Sequence, residues 1–553
     1  MLAFVSDEDD VAIAGAHVLL ESADGRRLAT RSQADGGVDL DPEPGAWRVT
    51  LAAPGFGPRR LDLTTRRDDP PHRFRLLSDE PAAYMWPKWS RSGERAVPQV
   101  HAVESYRASV WRYGIRKERV FDLDWADEHG PRATMQVTPP GDYTQTGVRW
   151  GTIGYKGNHH HATSIAAPQR TGLYYLHVRT ASGAFTSAPW VVAPAEPRAR
   201  IAVLASTNNW NAYNEFGGRS NYLNVTALPE RPIVNTRQDV ARYQTDRSHV
   251  DWKAPDDAYA PLSFERPEPF NVIPEDAEVT DPIPGFLQPS LAASEWRMLA
   301  WLEREGFDHD LYADAQLHDG TLDLSAYDVL VLSTHPEYWS REMIERLEAW
   351  LDAGGRLLSL GGNSMNCEVV FEGEDRLRFR NFLGDGGPGL GMPNPDDPDR
   401  PLDSRLHRSL GRSEASILGV ATTLSGFGTG APYEVVDDRH WIFAGSGLRN
   451  GDRFGAASLS ERAAGASGWE TDKRTPWTPD DVTLLAKGTN PDDGGAELVF
   501  RPVGPRGAVI AAGSITYAAS LLVDRPLSRV TANMVNRFLD PRPFETEAGQ
   551  PSP

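Results

Sequence analysis

The stretch STHPEYWS (333–340) places a histidine, a glutamate and two aromatics directly behind DVLVLS (328–333), an apolar run that reads as a buried strand. A turn from strand to helix needs only Gly, Asp or Ser. His335, Glu337 and Tyr338 add imidazole, carboxylate and phenol chemistry that such a turn does not require. Three more apolar runs end in similar company: IAVLAS (201–206) leads into TNNWNAYNEFGG, RLLSL (356–360) into GGNSMNC, and GAVIAAG (507–513) into SITY. In open α/β sheets the ligand crevice lies beyond the carboxyl ends of the strands. Tyr213, Asn214, His335, Glu337, Tyr338, Asn363 and Ser364 are therefore expected to meet on one rim. Phenol and carboxylate oxygens together suit a hard cation such as ferric iron. Each residue alone has a plainer reading. A histidine at a strand end usually serves as a hydrogen-bonding group, Tyr213 packs, and Glu337 favours the positive end of a helix starting at Ser340. Only convergence lifts the functional reading above these.

Other chemistry is sparse. There is one cysteine, Cys367, so no internal disulfide and no cysteine-rich metal site can form. NSMNCEVVF lacks the flanking glycines of a nucleophile elbow, and Cys367 reads as a small buried apolar residue. His159, His160 and His161 read as a surface loop of a β unit. No GxSxG, HExxH, Walker loop or dinucleotide fingerprint occurs in the right context, and GGPGLG (386–391) lacks a preceding strand.

The 553 residues exceed one ordinary domain, and a 40% hydrophobic share with 16 Trp, 16 Tyr and 19 Phe is enough to build real cores. A formal charge of -20, spread along the chain, argues against partners made of nucleic acid or anionic membrane. The N-terminus has no basic region followed by an apolar one, and no run approaches a membrane span, so a cytoplasmic soluble protein is expected. Residues 1–80 read as a small transthyretin-like β domain of short strands separated by DG, GG and PG turns. Residues 81–195 read as an immunoglobulin-like sandwich, and APAEPRAR (193–200) as a connector. From about 196 to 540, continuous apolar runs alternate with amphipathic helices, which predicts an α/β layer with a mostly parallel sheet. One helix is expected over 294–307 with a stop at Gly306, another from an N-cap at Ser340 to Gly354-Gly355. The Pro/Gly/Asn/Asp-rich stretches 207–290 and 380–435 are long enough to be lid-like or functional. Residues 541–553 read as a disordered tail.

VRWGTIGY, GLYYLHVRTASG, IAVLASTNNWNAYNEFGGRSNY, STHPEYWS, GGRLLSLGGNS and GWETDKRT together resemble the large (β) subunit family of N,N-dimethylformamidase. The resemblance covers most of the chain from about residue 85. It implies β domains ahead of an α/β core related to glutamine-amidotransferase-like folds, and a mononuclear ferric (Fe3+) site of two tyrosines and one glutamate. The His-x-Glu motif falls on His335 and Glu337, with Glu337 the ligand. The asparagine falls on Asn363 and the catalytic glutamate on Glu470. One tyrosine maps to Tyr213; the second maps best to Tyr259, with Tyr222 behind it. The implied activity is hydrolysis of small N-alkyl formamide-like amides, with Trp210, Trp339 and Trp469 as apolar walls. A small α subunit and homo-oligomers are the implied partners. Two other readings remain: a catalytically inactive binding or scaffold protein on the same fold, or a glutamine-amidotransferase-like hydrolase using Cys367.

Overall fold

The structure, a computed structural model, describes residues 1–7, 11–76, 78–123, 164–214, 216, 220–221, 231–232, 234, 261–282, 291–380, 405–423, 425–460 and 463–544. Among the described residues, its first part is entirely β. Ala3–Ser6, Gly37–Val38 and His72–Arg75 form one sheet, and Arg27–Arg31, His17–Ser22, Gly45–Ala52 and Arg59–Thr65 a second, with Val18, Leu20, Val49, Leu51 and Phe74 in one core. Two further sheets follow. One joins Ala82–Trp86, Arg95–His101 and Ile165–Ala166; the other has five strands, including the hairpin of Gly172–Thr180 and Phe185–Ala193. Met85, Val110, Leu176 and Trp190 close their core. The runs RATMQVTP and GVRWGTIGY, His159, His160, His161 and GGPGLG lie outside the described residues.

The third part is built on nine strands: β1 (Ile201–Ala205), β2 (Asp310–Ala313), β3 (Val329–Thr334), β4 (Arg356–Gly361), β5 (Tyr433–Val435), β6 (Arg453–Phe454), β7 (Thr483–Gly488), β8 (Glu497–Val503) and β9 (Gly507–Ala511), ordered β2-β1-β3-β4-β9-β8-β7-β5-β6. The first five in that order run parallel. The last four run antiparallel to their neighbours. The expectation of a mostly parallel sheet thus needs correction: only one half is parallel.

Five helices matter for the site: α1 (Thr207–Tyr213), α2 (Ala292–Glu305), α3 (Asp314–Asp319), α4 (Arg341–Asp352) and α5 (Arg525–Leu539). Alternate residues of the parallel strands face opposite layers, because side chains on a strand alternate faces. Val329 and Val331 pack with Trp296 and Trp301 of α2 and Met534 and Phe538 of α5. Leu330 and Leu332 pack with Met343, Ile344 and Leu347 of α4. Burying such a side chain contributes roughly 1.5–3 kcal/mol, and covering both faces is what makes these strands read as unbroken apolar runs. α2 ends at Gly306, whose φ of 78° suits the left-handed cap. α4 starts at Ser340, whose hydroxyl accepts the Met343 amide at 3.3 Å. Among the described residues, no helix is long and apolar enough to cross a membrane.

Candidate active site

The carboxyl ends of β3 and β4 lie side by side, in register through Thr334 and Gly361. A Cβ on Gly361 would stand 2.6 Å from the Thr334 carbonyl oxygen, and one on Gly362 would stand 2.6 Å from the Ile515 nitrogen and 2.9 Å from the Glu470 carbonyl oxygen. Three chain segments therefore converge on two glycines where no side chain fits. The Gly362 amide donates to the Thr334 carbonyl at 3.0 Å, and the Ser514 amide, just past β9, donates to the Gly361 carbonyl at 2.8 Å. The segment carrying Glu470 is pinned over the end of β9 by the Asp472 amide donating to the Gly513 carbonyl at 2.8 Å.

Backbone strain collects here. Thr334, Asn363, Met365 and Trp469 have φ of 56°, 52°, 58° and 62°, four of the six non-glycine residues with positive φ among the described residues. A β-branched residue such as Thr334 rarely adopts that conformation. Such strain gathers where surrounding contacts over-determine the backbone, as at functional sites.

His335 is the hub. It is fully buried, and its Nδ1 lies 3.0 Å from the Gly362 carbonyl oxygen. A carbonyl only accepts, so Nδ1 carries the proton. Around Nε2 stand three oxygens: Tyr213 Oη at 3.2 Å, Glu337 Oε2 at 3.0 Å and Glu470 Oε2 at 3.7 Å. Glu337 is 2% exposed, whereas the Glu470 side chain keeps 16% of its surface. Glu470 Oε2 also accepts from Asn363 Nδ2 at 2.7 Å, and Asn363 Oδ1 accepts from Asn366 Nδ2 at 2.6 Å. Tyr213, His335, Glu337, Asn363 and Glu470 thus meet in one place.

Other expected members do not join them. Tyr338 is buried against Phe379, Asn214 donates to the Pro267 carbonyl at 2.8 Å, and Ser364 pairs with Ser359. Trp339 is fully buried with its indole on the Pro336 carbonyl at 2.9 Å, and Trp210 is buried against Glu295. These two are core residues, which corrects their assignment as walls for a substrate. Trp469 alone of the three keeps partial exposure, packed against Phe427 at 5.8 Å between centroids. Cys367 is fully buried, its thiol 3.5 Å from the Glu368 carbonyl oxygen. Tyr259 and Tyr222 lie outside the described residues.

Sequence reasoning missed Asp472. Its Oδ1 accepts the Asn363 amide and the Thr422 hydroxyl, both at 2.8 Å, and so holds the strained turn that aims Asn363 at Glu470. Burial pushes its carboxyl up to about 6, opposed by those two hydrogen bonds. Only its place two residues beyond Glu470 hints at the role.

The donor set bears on a hard metal. Among the described residues there is no group of three or more His, Cys, Asp and Glu that could hold a metal ion. Yet a phenol oxygen and two carboxylate oxygens face one imidazole nitrogen whose partner nitrogen already carries the proton. Two carboxylates facing one imidazole nitrogen call for positive charge between them, which a second proton on His335 or a bound cation would supply, while the Tyr213 phenol can itself donate. Oxygen donors of this kind fit a ferric ion.

A family model described as N,N-dimethylformamidase beta subunit-like, C-terminal, matches residues 111–531. The N,N-dimethylformamidase beta subunit of Paracoccus aminophilus is 25% identical over 407 residues, 64% of this chain and 51% of its own length. The protein of the same name from Alcaligenes sp is 26% identical over 292 residues, 45% of this chain and 37% of its own. The chain spans about half the length, or less, of these curated relatives. Among solved structures, BcpA, the major pilin subunit of Bacillus cereus, aligns over 37% of this chain and 72% of its own at 10% identity with a TM-score of 0.14, too slight a likeness to carry any argument.

Proposed function

Because the chain belongs to the N,N-dimethylformamidase beta subunit-like family over residues 111–531, we propose that it hydrolyses the carbon–nitrogen bond of small linear amides, N-alkyl formamides above all, to carboxylate and amine. The observation that carries this reading is the gathering of Tyr213, Glu337 and Glu470 oxygens around His335 Nε2, with Asn363 holding Glu470.

Tyr213 and Glu337, with Tyr259 as a second phenol, would hold a mononuclear ferric ion. When bound, such an ion supplies a Lewis acid that polarises a carbonyl and acidifies water. Glu470 is the general base in this reading: one carboxylate oxygen, fixed by the Asn363 amide, takes the proton of the attacking water and returns it to the departing amine nitrogen. His335, anchored through Nδ1 on the Gly362 carbonyl, keeps Glu337 and Tyr213 in register. Trp469 offers an apolar face to N-alkyl groups. The same reading takes the α/β layer as glutamine-amidotransferase-like, places the protein in the cytoplasm and has it self-associate, and it gives the chain a small α subunit, since its relatives are named as beta subunits.

Iron quantification followed by an amine-release assay on a panel of N-alkyl formamides tests this. One iron per chain, a visible phenolate-to-iron absorption band and amine release are expected. A colourless protein that binds no iron on reconstitution and releases no amine would overturn the reading in favour of a binding protein.

A further inference from the structure

α1 has seven residues and ends at Tyr213, the residue whose phenol reaches His335. A helix this short does not hold itself in water, and Ser206 at its N-cap makes no side-chain cap bond. Its first turn is held from outside. Glu295 Oε1, from α2, accepts the Ser206 amide at 3.0 Å and the Trp210 indole N–H at 3.2 Å. Asp314 Oδ2, at the head of α3, accepts the Asn208 amide at 2.9 Å, while the Thr207 hydroxyl accepts the Asp314 amide at 3.2 Å. The far end is held by Arg266, fully buried, whose guanidinium donates to the Asn211 carbonyl at 3.1 Å, to Asn211 Oδ1 at 3.0 Å and to the Phe216 carbonyl at 3.0 Å.

Glu295 is 3% exposed and Asp314 2%, and neither has a cationic neighbour among the described residues. Two such carboxyl groups are costly to bury, and a helix that only filled space would be served as well by apolar packing. What they gain is a fixed position for the backbone leading to Tyr213. Resting on the reading of Tyr213 as an active-site ligand, we propose that Glu295 and Asp314 are positioning residues that set the Tyr213 phenol against His335. Burial pushes the Glu295 carboxyl up to about 8 and Asp314 well above the usual range. The amides therefore need an acceptor oxygen rather than a charge, and Gln at 295 retains that oxygen while Leu does not.

The test compares Glu295→Gln and Glu295→Leu, each alone and combined with Tyr213→Phe, reading the thermal midpoint, the absorption band of the iron-loaded protein and kcat/KM for amine release. Glu295→Gln is expected to keep the band and kcat/KM near the parent values. Glu295→Leu is expected to shift or weaken the band and lower kcat/KM by about 10- to 100-fold. That loss should nearly vanish in the Tyr213→Phe background, because a residue acting through another shows no separate effect once its target is gone. The same loss in both backgrounds, or a parental band and kcat/KM in Glu295→Leu, overturns the proposal and leaves Glu295 a structural residue. A parental band and turnover in Tyr213→Phe would instead overturn the functional reading, and this proposal with it. If Glu295→Leu does not fold, Asp314→Asn against Asp314→Ala makes the same comparison of acceptor kept and acceptor lost.

Discussion

Replacing Asn363 separates the two jobs this residue does. Its side-chain amide donates to Glu470 Oε2 at 2.7 Å, and its backbone sits at φ 52°. The hydrogen bond goes to a group that is a carboxylate when it acts as a base, which places its worth at about 1.5–3 kcal/mol. If it is in force during proton transfer, its loss lowers kcat/KM by roughly 10- to 150-fold, since about 1.4 kcal/mol is a factor of ten. The backbone contribution is different: a left-handed conformation costs an ordinary L-residue roughly 1–2 kcal/mol, but glycine nothing. Asn363→Gly therefore loses only the hydrogen bonds of the side chain, whereas Asn363→Ala loses them and adds strain. In both variants the residue 363 amide still donates to Asp472 Oδ1. The assay is amine release from a formamide that the parent protein turns over, alongside thermal melting. Equal losses of kcat/KM in the two variants are expected, with a lower melting temperature in Asn363→Ala alone. A folded Asn363→Gly with kcat/KM within about twofold of the parent would refute the role of this amide in holding the base.

Glu470→Gln should retain iron and its absorption band yet lose turnover, because it keeps the shape while removing the base; undiminished turnover, checked by the same amine assay, removes Glu470 from the mechanism. Cys367→Ala should leave band and turnover in place, since the thiol is sealed from solvent; loss of turnover in a folded variant would favour chemistry at sulfur. Gly362→Ala forces a methyl to 2.6 Å from the Ile515 nitrogen and should cost several-fold in kcat/KM and about 1–3 kcal/mol in stability, read by melting and turnover. A pH effect is expected away from the site. Burial holds His177, stacked on Trp111 and hydrogen-bonded to Tyr113, down to about 3 from 6.5. The folded state thus disfavours the proton. Its stabilising contribution, complete above 6.5, is lost as pH falls toward 3 and amounts to at most about 5 kcal/mol. The melting temperature of the parent should fall more steeply between pH 7 and 4 than that of His177→Gln, and equal slopes would contradict this.

The strands that carry the site were legible for one reason: β1, β3, β4 and β9 are buried on both faces, so each is a continuous apolar run. The rule that ligands lie beyond carboxyl ends then placed Tyr213, His335, Glu337 and Asn363 on a common rim. The antiparallel half was not legible. β7 and β8 are only partly buried, and TLLAKG and ELVFRPV mix polar and apolar residues without a clean period. β2, with four residues, is too short to signal itself. Trp339 and Tyr338 looked like site residues because they share a peptide with Glu337. The short strand Tyr338–Ser340, paired in parallel with Cys367–Phe371, instead turns them into the core. Glu295 was hidden differently. In SEWRMLAWLERE an acid in the first turn reads as solvent-facing helix chemistry, and nothing in the pattern distinguishes it from an acid folded over the amides of α1.

These failures have a common physical source. The apolar pattern specifies the sheet, but the site is specified by close approaches that no periodicity encodes. Gly361 and Gly362 let the ends of β3, β4 and β9 touch the Glu470 segment, and Thr334, Asn363, Met365 and Trp469 bend in the left-handed region to follow them. Each bend is unfavourable alone and is sustained by a tertiary hydrogen bond: Gly362 to Thr334, Asn363 to Asp472, Met365 to Pro336, Trp469 to Thr429. The hub imidazole is fixed by the same device, through the carbonyl of Gly362. Removing one bond therefore releases strain at the next, so substitutions at these positions should act on one another non-additively even where their side chains do not touch.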